Sequence, residues 1–249
     1  MHAVLPVLLL LRLLSGPPAA ALDVDAIVRA GFNYWRGQSS ASVVDMTIHR
    51  PRWQRSMTIR AWTRGQDHSI FWIIAPPREN GTGTLKKQRQ MWIYNPKINR
   101  TIKIPPSMMS QSWMGSDFSN NDLVKSDSLL HDYTHVLIGT GTHQGRRVYH
   151  IRSLPKAGAP VVWGCQELKI REDYILLEQT FFDEDFKPVK VLSADQIQML
   201  GGRLFPRVWK MQQVATPAEY TRLEYRELAF DVDLPERLFT LSALKTPPR

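Results

Sequence analysis

Apolar and polar positions alternate along most of this chain, in short runs parted by turn residues. Residues 44–49 alternate, and so do residues 55–62, with Met57, Ile59 and Ala61 on one face and Thr58, Arg60 and Trp62 on the other. Residues 69–74 are continuously apolar, which suits a strand covered on both faces. Residues 85–94 read as one strand, and residues 100–104 return after the turn at Asn95-Pro96. Further strands are predicted at 133–138, 147–152, 161–171, 174–182, 188–194, 204–214 and 220–228. Turn signals part them, among them Gly139-Thr140-Gly141, Gly201-Gly202 and Thr216-Pro217. Many strands at short spacing predict a mainly β chain: one large antiparallel sheet, curled or nearly closed.

Two stretches break the two-residue period. In residues 23–36, Val24, Ile27, Val28, Gly31 and Trp35 share one face of a helix, with Asp23 or Asp25 at its start and Gly37 at its end. That apolar stripe is read as docking on the sheet. In residues 105–118, Pro105-Pro106 stops the sheet and any helix must begin after Pro105. Met108, Met109, Trp113 and Met114 follow, then Gly115 as a stop and a polar turn that Ser119 can cap. Thioether side chains repack at little cost, so this face can plug a core or cover something that comes and goes. Pro235 predicts a last helical turn over 236–239. No internal repeat or linker is seen, and residues 22–249 read as one domain.

The first 21 residues read as a cleaved secretory leader. An apolar run ends at Ser15-Gly16-Pro17-Pro18, and Ala19-Ala20-Ala21 offers small residues for cleavage before Leu22. The run is too short to span a bilayer, it lacks a basic start, and Arg12 interrupts it. No cysteine lies near the cleavage site, so the chain is not read as a lipoprotein itself. The net charge is +9, one unit of which leaves with Arg12. A basic surface fits a soluble exported protein, and it also fits attraction to anionic headgroups. Nucleic acid is not expected in an exported chain without a basic cluster or a known binding motif. Cys165 is the only cysteine, so no internal disulfide can form, and it reads as a buried thiol.

Reactive chemistry is sparse. His131, Asp132 and His135 lie close in sequence, but zinc wants a third protein ligand and none is evident. Asp117 to Asp122 carry alternating oxygens without the glycine and distal glutamate of a calcium loop, so a capped turn is the simpler reading. There is no Gly-x-Ser-x-Gly elbow and no glycine-rich phosphate loop. No metal, cofactor or catalytic residue is expected. The tryptophans can form an ordinary core or line a ligand cavity. Met91 and Ile93 against Trp92 and Tyr94 make both faces of one strand apolar, so each face needs a cover.

Trp92, Tyr94, Pro96, Arg100, Ile104 and Pro105, the run Trp113-Met114-Gly115-Ser116-Asp117-Phe118-Ser119, and Asp122-Leu123 resemble the LolA-like family of outer-membrane lipoprotein-sorting proteins. Residues 221–225, Leu234-Pro235 and Phe239-Thr240 fit the same family. The resemblance implies an incomplete β-barrel whose concave face is covered by helices over an apolar cavity for acyl chains. It implies a periplasmic, non-enzymatic carrier of lipid or lipoprotein acyl chains, taking cargo from an inner-membrane exporter toward an outer-membrane acceptor. Met108, Met109, Trp113, Met114 and Phe118 are then expected at the lid or mouth. Trp62, Trp72, Trp92 and Tyr94 are the expected wall, an assignment made from strand pattern. A monomer is expected. A regulatory module on the same fold that binds lipoproteins and a membrane partner is the alternative, and a hydrolase using His131, Asp132 and His135 is a third reading.

Overall fold

The structure, a computed structural model, describes residues 22–247; the expected leader and its cleavage site lie outside them. Helix α1 (Val24–Arg36) opens the described chain. The Asp23 carboxylate accepts the Ala26 N–H at 2.9 Å, and Gly37 ends the helix with a left-handed φ of 69°. Six strands follow: β1 (Ser39–Arg50), β2 (Trp53–Arg64), β3 (His68–Ala75), β4 (Gly83–Lys87), β5 (Gln90–Asn95) and β6 (Arg100–Lys103). Residues 104–132 then hold two 3-10 turns, Pro106–Met108 and Trp113–Gly115, and two short helices, α2 (Asn120–Val124) and α3 (Ser128–His131). Seven strands complete the sheet: β7 (Tyr133–His143), β8 (Arg146–Pro155), β9 (Cys165–Arg171), β10 (Leu176–Phe182), β11 (Pro188–Leu200), β12 (Arg203–Gln213) and β13 (Tyr220–Phe230). A 3-10 turn, Glu236–Leu238, and helix α4 (Leu241–Leu244) follow. No helix among the described residues is long and apolar enough to cross a membrane.

All 13 strands form one open sheet in the order β6-β5-β4-β3-β2-β1-β13-β12-β11-β10-β9-β8-β7. Its two halves are meanders joined where β1 pairs antiparallel with β13. The edges β6 and β7 are separated by an even number of antiparallel pairings, so they run in the same direction. The chain therefore leaves β6 at one end of the sheet and must start β7 from the other. Residues 104–132 make that return across one face.

Helix α1 shows how strongly the sheet curls. Its Gly31 sits against Ile170 on β9, and its Arg36 donates to the Ser69 hydroxyl on β3 at 2.9 Å. Those strands are seven pairings apart, about 34 Å along a flat sheet, whereas Gly31 and Arg36 are about 8 Å apart along the helix. The sheet must wrap the helix. Cross-strand partners then define one inner face, running from Ile93 and Thr84 through Phe71, Ala61 and Ser42 on one side. On the other side it runs from Met46 through Leu223 and Trp209 to Ala194.

Three differences from the sequence pattern have local causes. Residues 85–94 form a hairpin, not one strand, because Gln88 takes a left-handed φ of 55° without the Asn-Gly signal that usually marks such a turn. β7 runs through Gly139 and Gly141; Gly139 sits at a register shift, and the turn comes at Gln144-Gly145 instead. The stretch after Pro105 is 3-10 turns, with Met114 left-handed at φ 53° between Trp113 and Gly115.

Candidate functional site: an apolar cavity beneath the crossing segment

The inner face has two covers. Over β1–β5 lies the crossing segment: Ile104, Trp113 and Val124 pack with Met46, Ile48, Met57, Ile59, Ile73 and Met91 in one buried cluster. The Trp113 indole donates to the Thr84 hydroxyl at 3.1 Å, and its ring meets Phe71 edge-on at 5.8 Å. Over β8–β10 lies α1, whose Ile27 and Val28 pack with Leu129, Ile151, Leu168 and Ile170. Between the two covers and the strands is a cavity of about 140 Å³. Val28, Phe32, Leu168, Met211, Leu223 and Phe118 give it apolar walls.

Polar side chains supply the smaller part of that cavity's surface. Gln179 donates to Gln166 across neighbouring strands at 2.6 Å. The Tyr133 hydroxyl is bound to the Trp163 carbonyl at 2.9 Å. Tyr225 opens on the cavity, and burial pushes its phenol up to about 12 against the opposing pull of Arg36. Trp209 is 3% exposed and lines the cavity, and its indole N–H has no acceptor among the described residues. A buried donor without a partner costs about 1–3 kcal/mol.

The crossing segment is fastened by three aspartates five residues apart, each on a basic residue of a different strand. Asp117, 7% exposed, receives both Arg50 Nη atoms of β1 at 3.1 Å, and it accepts the Thr221 hydroxyl at 2.6 Å. Asp122 caps α2 by accepting the Ser119 N–H at 2.6 Å and pairs with Lys190 of β11. Asp127 meets Lys86 of β4 at 3.4 Å. The Lys86 side chain is 1% exposed, and burial, then the charge of Arg36, lowers its ammonium to about 8 while Asp127 works the other way. Arg36 is itself lowered to about 10, by burial first. Buried ion pairs of this kind fix geometry more than they add net stability.

The structure places the expected site residues in three groups. Phe118 lines the cavity. Trp113 is buried in the cluster over β1–β5, Met109 and Met114 pack against it, and Met108 is exposed. Trp62, Trp72, Trp92 and Tyr94 project from the opposite face, where Ile70, Leu85, Phe239 and Leu244 join them; they do not line the cavity. The C-terminal turn and α4 cover that outer face, and the Trp72 indole donates to the Leu244 carbonyl at 3.0 Å. The wall is built instead from α1, the crossing segment and β9–β13. Its signals in the sequence were Trp163 just before β9, Trp209 in β12 and the apolar stripe of α1. His131 ends α3 and bonds Gln66, while His135 lies on β7 against Ser153 at 2.8 Å, so the two histidines make separate contacts. Among the described residues there is no group of three or more His, Cys, Asp or Glu able to hold a metal.

An open 13-stranded meander, wrapped round an N-terminal helix and crossed by an edge-to-edge segment, is the LolA-like fold. Solved structures share it, the following three among them. A DUF1329 family protein from Desulfovibrio piger is 24% identical over 89% of this chain and 98% of that one, with a TM-score of 0.78. A domain described as that of an outer membrane lipoprotein-sorting protein from Vibrio parahaemolyticus is 18% identical over 89% and 97%, at 0.75. A LolA superfamily protein from Nitrosomonas europaea is 18% identical over 90% and 100%, at 0.73. Residues 65–246 match a family model described as an uncharacterized protein, and the chain belongs to that family. No curated protein matches the sequence.

Proposed function

We propose that this chain is a non-enzymatic periplasmic carrier that holds an acyl chain of a lipid or lipoprotein in the cavity between α1, the crossing segment and the strands. The observation that carries the reading is the apolar cavity under a cover made of short turns. A cavity of about 140 Å³ compares with the roughly 150 Å³ engineered cavity that accepts benzene. It therefore seats about six carbons. At about 0.8 kcal/mol per methylene, that is about 5 kcal/mol gross, enough only for weak binding. A longer chain requires α1 or the crossing segment to shift outward, and each added methylene then strengthens the hold. Release follows when the cover closes again or a tighter acceptor draws the chain out. An inner-membrane exporter as donor and an outer-membrane acceptor fit such a shuttle, which works as a monomer.

Binding of a fluorescent fatty-acyl probe tests the reading. The wild-type protein should take it up saturably at one per chain. Leu223→Trp, which adds bulk at a partly buried wall position, should remove uptake while leaving the circular dichroism of the sheet unchanged. Absence of saturable uptake by wild type, or full uptake by the filled variant, contradicts the proposal.

A further inference from the structure

A second chamber of about 280 Å³ adjoins the apolar cavity, and its chemistry is different. Ser110, Ser112, Ser116, Ser119, Lys190 and Gln213 line it. Phe118, Asn121, Val162 and Trp163 belong to both walls, so they stand at the boundary between the two spaces. The inner compartment is mostly apolar, whereas the outer one sets four serine hydroxyls, two amides, Asp117 and Lys190 beside Phe118, Val162, Trp163 and Val189. Resting on the carrier reading, we infer that the two form one site for an amphiphile, with the chain in the inner cavity and the headgroup in the outer chamber.

The charges of the outer chamber define the head. Lys190 is its cation, and Lys190 is already paired with Asp122 while its ammonium lies 4.9 Å from the Trp163 ring. Asp117 is paired with Arg50 and Thr221. At the inner cavity, Lys125 sends its ammonium outward to the Pro160 carbonyl at 2.6 Å. An anionic head would have to take Lys190 from Asp122 and leave a buried carboxylate without its ion pair, which is strongly unfavourable. The chamber instead offers free hydrogen-bonding groups. Ser110 and Ser112 are exposed and make no side-chain hydrogen bond among the described residues. Hydroxyls both donate and accept, so they match polyol, ester and amide groups. The head is therefore uncharged: an acylated polyol or an acylated amide. Two sources supply that chemistry, a neutral glycerolipid and the acylated N-terminus of a lipoprotein.

The test compares ligands that share one sixteen-carbon chain and differ in the head. Intrinsic tryptophan fluorescence of the delipidated protein reports binding, because Trp163 and Trp209 line the cavity. The probes are monopalmitoylglycerol, an N-palmitoylated dipeptide amide, palmitate and palmitoyl lysophosphatidate, all below their aggregation concentrations at neutral pH. At least one uncharged ligand should bind ten times more tightly, or better, than both anions. Which of the two wins identifies glycerolipid or lipoprotein as the source. The triple variant Ser110→Ala, Ser112→Ala, Gln213→Leu changes exposed or partly exposed side chains. It should lose that preference and keep its affinity for palmitate. Equal binding of all four probes, tighter binding of an anion, or an unchanged preference in the variant overturns the headgroup assignment and leaves the carrier reading standing. Failure of all four to bind overturns both.

Discussion

Replacing Lys86 with methionine is expected to stabilise this protein at neutral pH, although it removes one partner of a buried ion pair. The Lys86 ammonium has three acceptors: the Gln66 carbonyl at 3.0 Å, the Ser126 hydroxyl at 3.3 Å and Asp127 at 3.4 Å. Against them stand near-complete burial and the neighbouring charge of Arg36, and together these lower the folded-state ammonium to about 8 from 10.5. Between those values the unfolded chain binds more protons than the folded one, so stability rises with pH. At pH 7 the charged lysine costs about 3 kcal/mol relative to a neutral group, and near pH 9.5 the cost falls to about 1 kcal/mol. Methionine keeps the volume and removes the cost, and Asp127 retains the attraction of Arg36. Allowing for the lost hydrogen bonds, Lys86→Met should gain about 1–3 kcal/mol at pH 7. Urea unfolding of both proteins at pH 7 and near pH 9.5 measures this. The advantage of the variant should shrink by about 2 kcal/mol over that range. A variant less stable than wild type at pH 7, or an advantage that does not change with pH, refutes the claim that burial and Arg36 outweigh Asp127.

Lys190 should behave in the opposite way, because its contact with Asp122 is close and both side chains are under a tenth exposed. Lys190→Met should cost about 3 kcal/mol, and adding Asp122→Asn should recover much of it, as urea titrations of the double-mutant cycle would show. Gly83→Ala should loosen the outer face: its new Cβ would lie 2.7 Å from Leu244 Cδ1 and 3.1 Å from the Leu244 carbonyl. A loss of about 1–3 kcal/mol and faster proteolysis of the C-terminal segment are expected. Cys165 is 2% exposed and burial pushes its thiol up, so iodoacetamide should label it only as fast as the protein unfolds.

Strand pattern made most of the sheet legible, since Met57, Ile59 and Ala61 do share one face and Trp62 does lie on the other. Residues 69–74 read as covered on both sides, and Ile73 and Trp72 are buried on opposite faces. The capping role of Ser119 was legible because it is local: three residues separate it from Asp122. What covers each face was not legible, because the answer is set by distant segments. Phe239 and Leu244 claim the large tryptophans of β2–β5 for an outer core, so the most conspicuous aromatic residues are not the cavity wall. The wall strands carry Gln166 and Gln179 among their apolar positions, which dilutes the alternation there. The three aspartates 117, 122 and 127 look like solvated turn residues until the sheet supplies Arg50, Lys190 and Lys86.

Native mass spectrometry of the protein purified without detergent from its native host, followed by lipid extraction, tests the carrier proposal most directly. The proposal predicts one bound acyl-bearing molecule per chain in wild type and none in Leu223→Trp. Wild-type protein that carries no acyl-bearing molecule, and takes none up when one is supplied, contradicts it.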